Sequence, residues 1–115
     1  MCIRDSDHVR RFFADHDFET VRDRALECPT WTDIARVQKD RLITVLRDEL
    51  DGDDVDAILQ VGTNLCMASL AGEAEHWLNK PVIAINTATY WHALRRNGIT
   101  AVSYTHLTLP TIYSV

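Results

Sequence analysis

The chain has 115 residues, with 12 Lys and Arg against 17 Asp and Glu, which gives a formal net charge of −5 at pH 7. That length accommodates one domain, and 46% hydrophobic beside 25% charged residues belongs to a folded globular chain rather than a disordered one. No apolar run is long enough for a spanning helix, and the acidic balance lacks the clustered Lys and Arg of a nucleic-acid footprint. The three cysteines, Cys2, Cys28 and Cys66, fit neither a disulfide framework nor a zinc pattern, so a reduced, cytoplasmic domain with no metal site is expected.

Residues 7–15 place Val9, Phe12 and Phe13 at helical spacing, with Ser6 or Asp7 available to cap the first turn. Phe18, Thr20 and Val21 favour a strand over residues 18–25, and the charges within it make that an edge or partly solvated strand. Pro29 ends it, and Thr30 and Thr32 offer N-cap hydroxyls just ahead of Asp33. From residue 33 to 50, Ile34, Val37, Leu42, Val45, Leu46 and Leu50 keep a 3.6-residue period. Lys39, Asp40, Arg47 and Asp48 occupy the opposite face, and Gly52 follows as a stop.

Residues 55–61 (VDAILQV) suit a buried parallel strand, and Gly62-Thr63-Asn64 form the turn after it. Residues 65–78 return to helical spacing through Leu70, Ala71, Ala74 and Leu78, until Asn79-Lys80-Pro81 break it. A second apolar strand is expected over residues 82–85. Asn86 and Thr87 then lead into a helix through Trp91, Leu94 and Arg95 to a Gly98 cap. The predicted order, α-β-α-β-α-β-α, makes the fold class α/β: three α/β/α layers around a parallel sheet.

The two ends differ from this middle. Every Asp, Glu, Lys and Arg lies between Arg4 and Arg96. MCIRDS at the start and VSYTHLTLPTIYSV at the end resemble translated adapter or assembly-artefact sequence of the kind carried by metagenomic contigs. That resemblance implies that residues 1–6 and 102–115 are extraneous and that residues 7–101 are a fragment of a longer protein.

In an open parallel sheet, ligands bind beyond the carboxyl ends of the strands. Three loops qualify, at 28–32, 62–64 and 86–88. Their small and hydroxyl-bearing residues lead towards helix N-termini, where free N–H groups favour carboxylate or phosphate. The substrate-binding candidates are Thr32, Gly62, Thr63, Asn64, Leu65, Asn86 and Thr87. Glu73 and Glu75 are two apart on a helix and diverge, so they form no acid/base pair; Glu75 and His76 read as a solvated helix face. His92 and Trp31 read as packing residues, and Cys28 and Cys66 are weaker nucleophile candidates. No P-loop, G-x-G-x-x-G or G-x-S-x-G pattern occurs.

Between residues 55 and 99 several features recur in a known order. They are an apolar strand, the turn Gly62-Thr63-Asn64-Leu65, Glu75, then Leu78-Asn79-Lys80-Pro81-Val82-Ile83 and Trp91-His92-Ala93-Leu94-Arg95. This stretch resembles the aspartate/glutamate racemase superfamily, nearest its arylmalonate decarboxylase and maleate cis-trans isomerase branch. The resemblance implies two pseudo-symmetric α/β halves with a small carboxylate between them, cysteine chemistry and no cofactor. This chain would then be most of the second half of an isomerase, racemase or decarboxylase. Its partners would be a small carboxylate and, compatibly, a second copy of the chain, with no nucleic acid and no membrane.

One departure bears on mechanism. The family's second catalytic Cys stands first in its C-T-N-L turn, where this chain has Gly62. Glycine neither holds a thiolate nor shuttles a proton, and Cys66, about 6 Å further along a helix axis, is too far to replace it. A parent enzyme would take its Cys from the other half, leaving this fragment inactive. A non-catalytic carboxylate-binding relative and a flavodoxin-like interaction domain are the alternatives.

Overall fold

The structure, a computed structural model, describes residues 3–100, which form two compact units divided in the chain between Asp56 and Ala57. The expected extraneous end at 102–115 lies outside the described residues. Of the other end, residues 3–6 form the first turn of a helix, so Ser6 and Asp7 are interior positions rather than caps.

The first unit begins with helix α1, Ile3–Asp15. It ends in a Schellman motif. Asp17 is left-handed at φ 65, its N–H bonds to the Ala14 carbonyl, and the Phe18 N–H reaches back to the Phe13 carbonyl at 2.9 Å. The Phe13 and Phe18 rings meet edge to face at 6.3 Å, the apolar contact that accompanies such an end. Phe12, by contrast, is 57% exposed, with ring contacts to Phe13 and His16 of its own helix end.

This motif overturns the strand expected over residues 18–25. Phe18 is used to close the helix, and residues 18–28 carry no regular structure. The charges that weakened the strand reading are employed in ion pairs: Arg10 with Asp23, Arg22 with Asp54, and Arg24 with Glu49. These are surface pairs, individually weak and screened by salt. The hydrogen bond from Arg10 holds the Asp23 carboxyl below its ordinary range, with the guanidinium charge adding to it. A depressed carboxyl stabilises the fold above its unfolded pKa, and that contribution is lost as pH falls through the folded value. Titrating Asp23 by NMR should therefore give a midpoint below that of a free Asp, and Arg10→Ala should raise it; an unmoved midpoint would show that the pair is not formed in solution.

The single helix expected from 33 to 50 is three pieces. Thr30 caps a one-turn helix α2, Trp31–Ile34, accepting from the Asp33 N–H while its own hydroxyl donates to the Asp33 carboxylate at 2.6 Å. Two tight bonds, Arg36 N–H to Asp33 and Val37 N–H to Ile34, close that turn, and Gln38 is extended. Helix α3, Lys39–Thr44, then runs into a π-helix, Val45–Leu50, whose end is marked by the Asp51 N–H on the Leu46 carbonyl. No Pro or Gly announces the break. Leu42, Val45 and Leu46 are nonetheless buried, as the period requires, together with Leu26, whose carbonyl accepts from Arg41 at 3.0 Å.

The second unit is a βαβα arrangement. Strand β1, Ile58–Gln60, precedes helix α4, Ala68–Leu78; strand β2, Val82–Ala84, runs directly into helix α5, Ile85–Arg96. The strands are parallel, with Ile58 opposite Val82, Leu59 opposite Ile83 and Gln60 opposite Ala84. The class is α/β, with two described strands in place of the expected three. Both are shorter than the apolar runs that encode them, because β2 becomes helix at Ile85 and leaves β1 nothing further to pair with.

One sheet face carries Ile58, Val82 and Ala84, buried with Leu70, Ala71 and Ala74 of α4 and with Met67. On the other face Leu59 is 46% exposed, so β1 is half-covered within this unit rather than buried on both sides. Helix α4 begins three residues later than the periodicity predicts, leaving Leu65 outside it. It ends at left-handed Asn79 (φ 55), and α5 ends in a second Schellman motif with Gly98 at φ 73, as expected. Among the described residues no helix is long and apolar enough to cross a membrane, and no cluster of three metal-ligating side chains occurs.

Candidate functional site

Beyond β1 the chain passes through Val61 into the Gly62-Thr63-Asn64 turn, at the carboxyl end of the parallel pair. Gly62 adopts φ 108, and a Cβ built there would meet nothing within 4 Å; backbone conformation, not crowding, calls for glycine. Two carboxamides grip the turn. Gln60 Nε2 donates to the Gly62 carbonyl at 2.5 Å, and Asn86 Nδ2 donates to the Thr63 carbonyl at 2.9 Å. The backbone N–H groups of Gly62 and Thr63 donate to no other described residue. The Gly62 and Thr63 carbonyls are thus occupied while their N–H groups meet no acceptor among the described residues, the polarity that suits an anion.

Of the residues singled out in the sequence, Gly62, Thr63 and Asn64 form this turn, with Thr63 and Asn64 exposed and Leu65 half-buried beside them. Asn86 and Thr87 were expected in a loop but lie in the first turn of α5, which starts at Ile85 without a connecting segment. Asn86 still reaches the site, though towards a backbone carbonyl. Thr32 belongs to the first unit, in α2, with its hydroxyl 2.9 Å from that of the capping Thr30. Gln60 was missed, because a polar residue ending an apolar strand reads as a solvated strand end; its pairing with a carbonyl two residues ahead is visible only in three dimensions.

The remaining motif residues serve the architecture. Glu75, read as solvated, turns its carboxylate to the Val82 N–H at 3.3 Å and so ties α4 to the start of β2. Arg95 stacks 5.5 Å over the Trp91 ring and donates to the Ile99 carbonyl at 2.7 Å, holding the end of α5. Both described thiols are free. Cys66 is exposed between the turn and α4; Cys28 is half-buried in the first unit, lining a hollow of about 470 Å³ with Arg36 and Arg41.

No curated protein and no solved structure matches the chain. It does match the arylmalonate decarboxylase family, over residues 4–109. A match over that much of the chain shows the relationship: the chain belongs to the arylmalonate decarboxylase family.

Proposed function

We propose that the 62–64 turn binds the carboxylate of a small acid and forms one half of a decarboxylase, racemase or isomerase site that works without a cofactor. The supporting observation is the polarity of the turn: its Gly62 and Thr63 carbonyls are held by Gln60 and Asn86, and its first two N–H groups are left open. Loss of CO₂ from a malonate, or of a proton from the carbon beside a carboxylate, leaves negative charge on the remaining carboxylate oxygens. Fixed N–H donors stabilise that charge as it develops, and this is the role of an oxyanion hole. Thr63, Asn64 and Thr87 are the side chains that would contact the carboxylate, with Leu65 next to the turn in the chain.

Gly62 stands where the family's second catalytic thiol is expected, so the group that delivers the proton comes from the first, pseudo-symmetric half of the fold. In this reading residues 7–101 are the incomplete second half, and the half-covered strand pair is part of a larger parallel sheet buried on both faces. The absence of a side chain at Gly62 also favours a second reading, a carboxylate-binding relative without catalysis.

Titration with malonate tests the turn itself. Thr63→Val and Asn64→Leu should each weaken binding about tenfold, the equivalent of roughly 1.4 kcal/mol and of one charge-assisted hydrogen bond. Unchanged affinity with a lowered melting temperature would reduce the turn to a local support for α4.

A further inference from the structure

Gln60 closes β1 opposite Ala84 and shares the sheet face of buried Ile58. Its carboxamide has one partner that decides its orientation. Nε2 points to the Gly62 carbonyl at 2.5 Å, and this forces Oε1 to the other side, where it is buried without a donor among the described residues. Flipping the amide would set Oε1 against the Gly62 carbonyl, two acceptors face to face, so the assignment follows from the contact. A buried acceptor with no donor destabilises a fold, and an apolar side chain of the same length would avoid that penalty. Gln60 is therefore a poor choice for stability, at the one place where it controls a peptide plane of the turn.

That plane is the link to chemistry. In a trans peptide the carbonyl of one residue and the N–H of the next point in opposite directions. Fixing the Gly62 carbonyl on Gln60 aims the Thr63 N–H away from Gln60, and that N–H has no acceptor among the described residues. With φ 108, Gly62 has backbone freedom that other residues lack, so an unheld plane would rotate readily. We propose that Gln60 is a positioning residue: through the Gly62 carbonyl it keeps the Thr63 N–H directed at a bound carboxylate. This rests on the carboxylate reading of the turn.

The experiment uses the full chain, with malonate as the probe. Binding is followed at the Thr63 amide signal by NMR, and melting temperatures are recorded alongside. Gln60→Met should bind malonate at least about tenfold more weakly and lose the malonate-induced shift of the Thr63 amide, while melting at the same temperature or higher. Gln60→Glu, which keeps the shape but cannot donate when ionised, should lose the same shift. Wild-type affinity in Gln60→Met would overturn the positioning role and leave the carboxylate site standing. A lowered melting temperature in Gln60→Met would make Gln60 a structural residue and equally overturn it. Absence of malonate binding by the wild-type chain would remove the carboxylate reading and this role together.

Discussion

Incubated with arylmalonates, maleate, aspartate or glutamate, the 115-residue chain is expected to show no turnover. The turn supplies donors for negative charge, and such donors alone contribute roughly 10²–10³-fold, which leaves the uncatalysed reaction slow. The proposed reaction also needs a proton donor or acceptor at the reacting carbon, a contribution of roughly 10²–10⁴-fold in its own right, and the turn places none there among the described residues. Gly62 has no side chain to provide it. Cys66 is exposed beyond the turn, with Leu65 between them, and Cys28 belongs to the first unit. Release of CO₂ and change in optical rotation are the measurements, with a Thr63→Val/Asn64→Leu double variant as the control. Turnover above that control would place the proton-transfer group in this chain and end the two-half reading.

Gly62→Val should destabilise the fold by about 1–3 kcal/mol, the usual strain of a side chain held in a sparsely populated backbone region. A clash is not the cause, since nothing lies within 4 Å of the added Cβ; the cause is φ 108, which a β-branched residue strongly disfavours. The denaturant midpoint should fall while the slope stays the same. The same strain predicts that Gly62→Cys does not simply reinstate a thiol: the turn must rotate to accept it, which moves the Gly62 carbonyl off Gln60. An unchanged midpoint in Gly62→Val would show that the turn adopts another conformation in solution and would undercut the geometry of the site.

The second unit was legible in the sequence because its elements are marked by punctuation as well as by period. Gly62, the Asn79-Lys80-Pro81 break and Gly98 separate apolar runs that have one interpretation each, and the parallel pairing follows from the helix between the strands. The first unit was misread where local contacts override pattern. Phe18 looks like a strand residue by type, yet its N–H and ring are drawn back to Phe13 by left-handed Asp17. The apolar period from Ile34 to Leu50 continues across a break, because the cap at Thr30 and the tight bonds at Arg36 and Val37 satisfy only one turn before Gln38 extends. Periodicity reports which side chains are buried, and Leu42, Val45 and Leu46 are; it does not report whether the backbone between them is continuous. At the site the turn was readable from Gly62-Thr63-Asn64, while the roles of Gln60 and Asn86 depend on carbonyl directions that residue types do not encode.

The π-helix at Val45–Leu50 carries a consequence for chain length. A π turn encloses more residues than an α turn, and the bond from the Asp51 N–H to the Leu46 carbonyl spans five residues instead of four. The surplus is on the solvent side, since Arg47, Asp48 and Glu49 are exposed while Val45 and Leu46 are buried. A chain one residue shorter between Arg47 and Glu49 would close the same turn as ordinary α-helix and keep the same apolar residues inward. Relatives that differ here by a single-residue gap can therefore share one core, and the gap belongs in this exposed arc rather than in the strands.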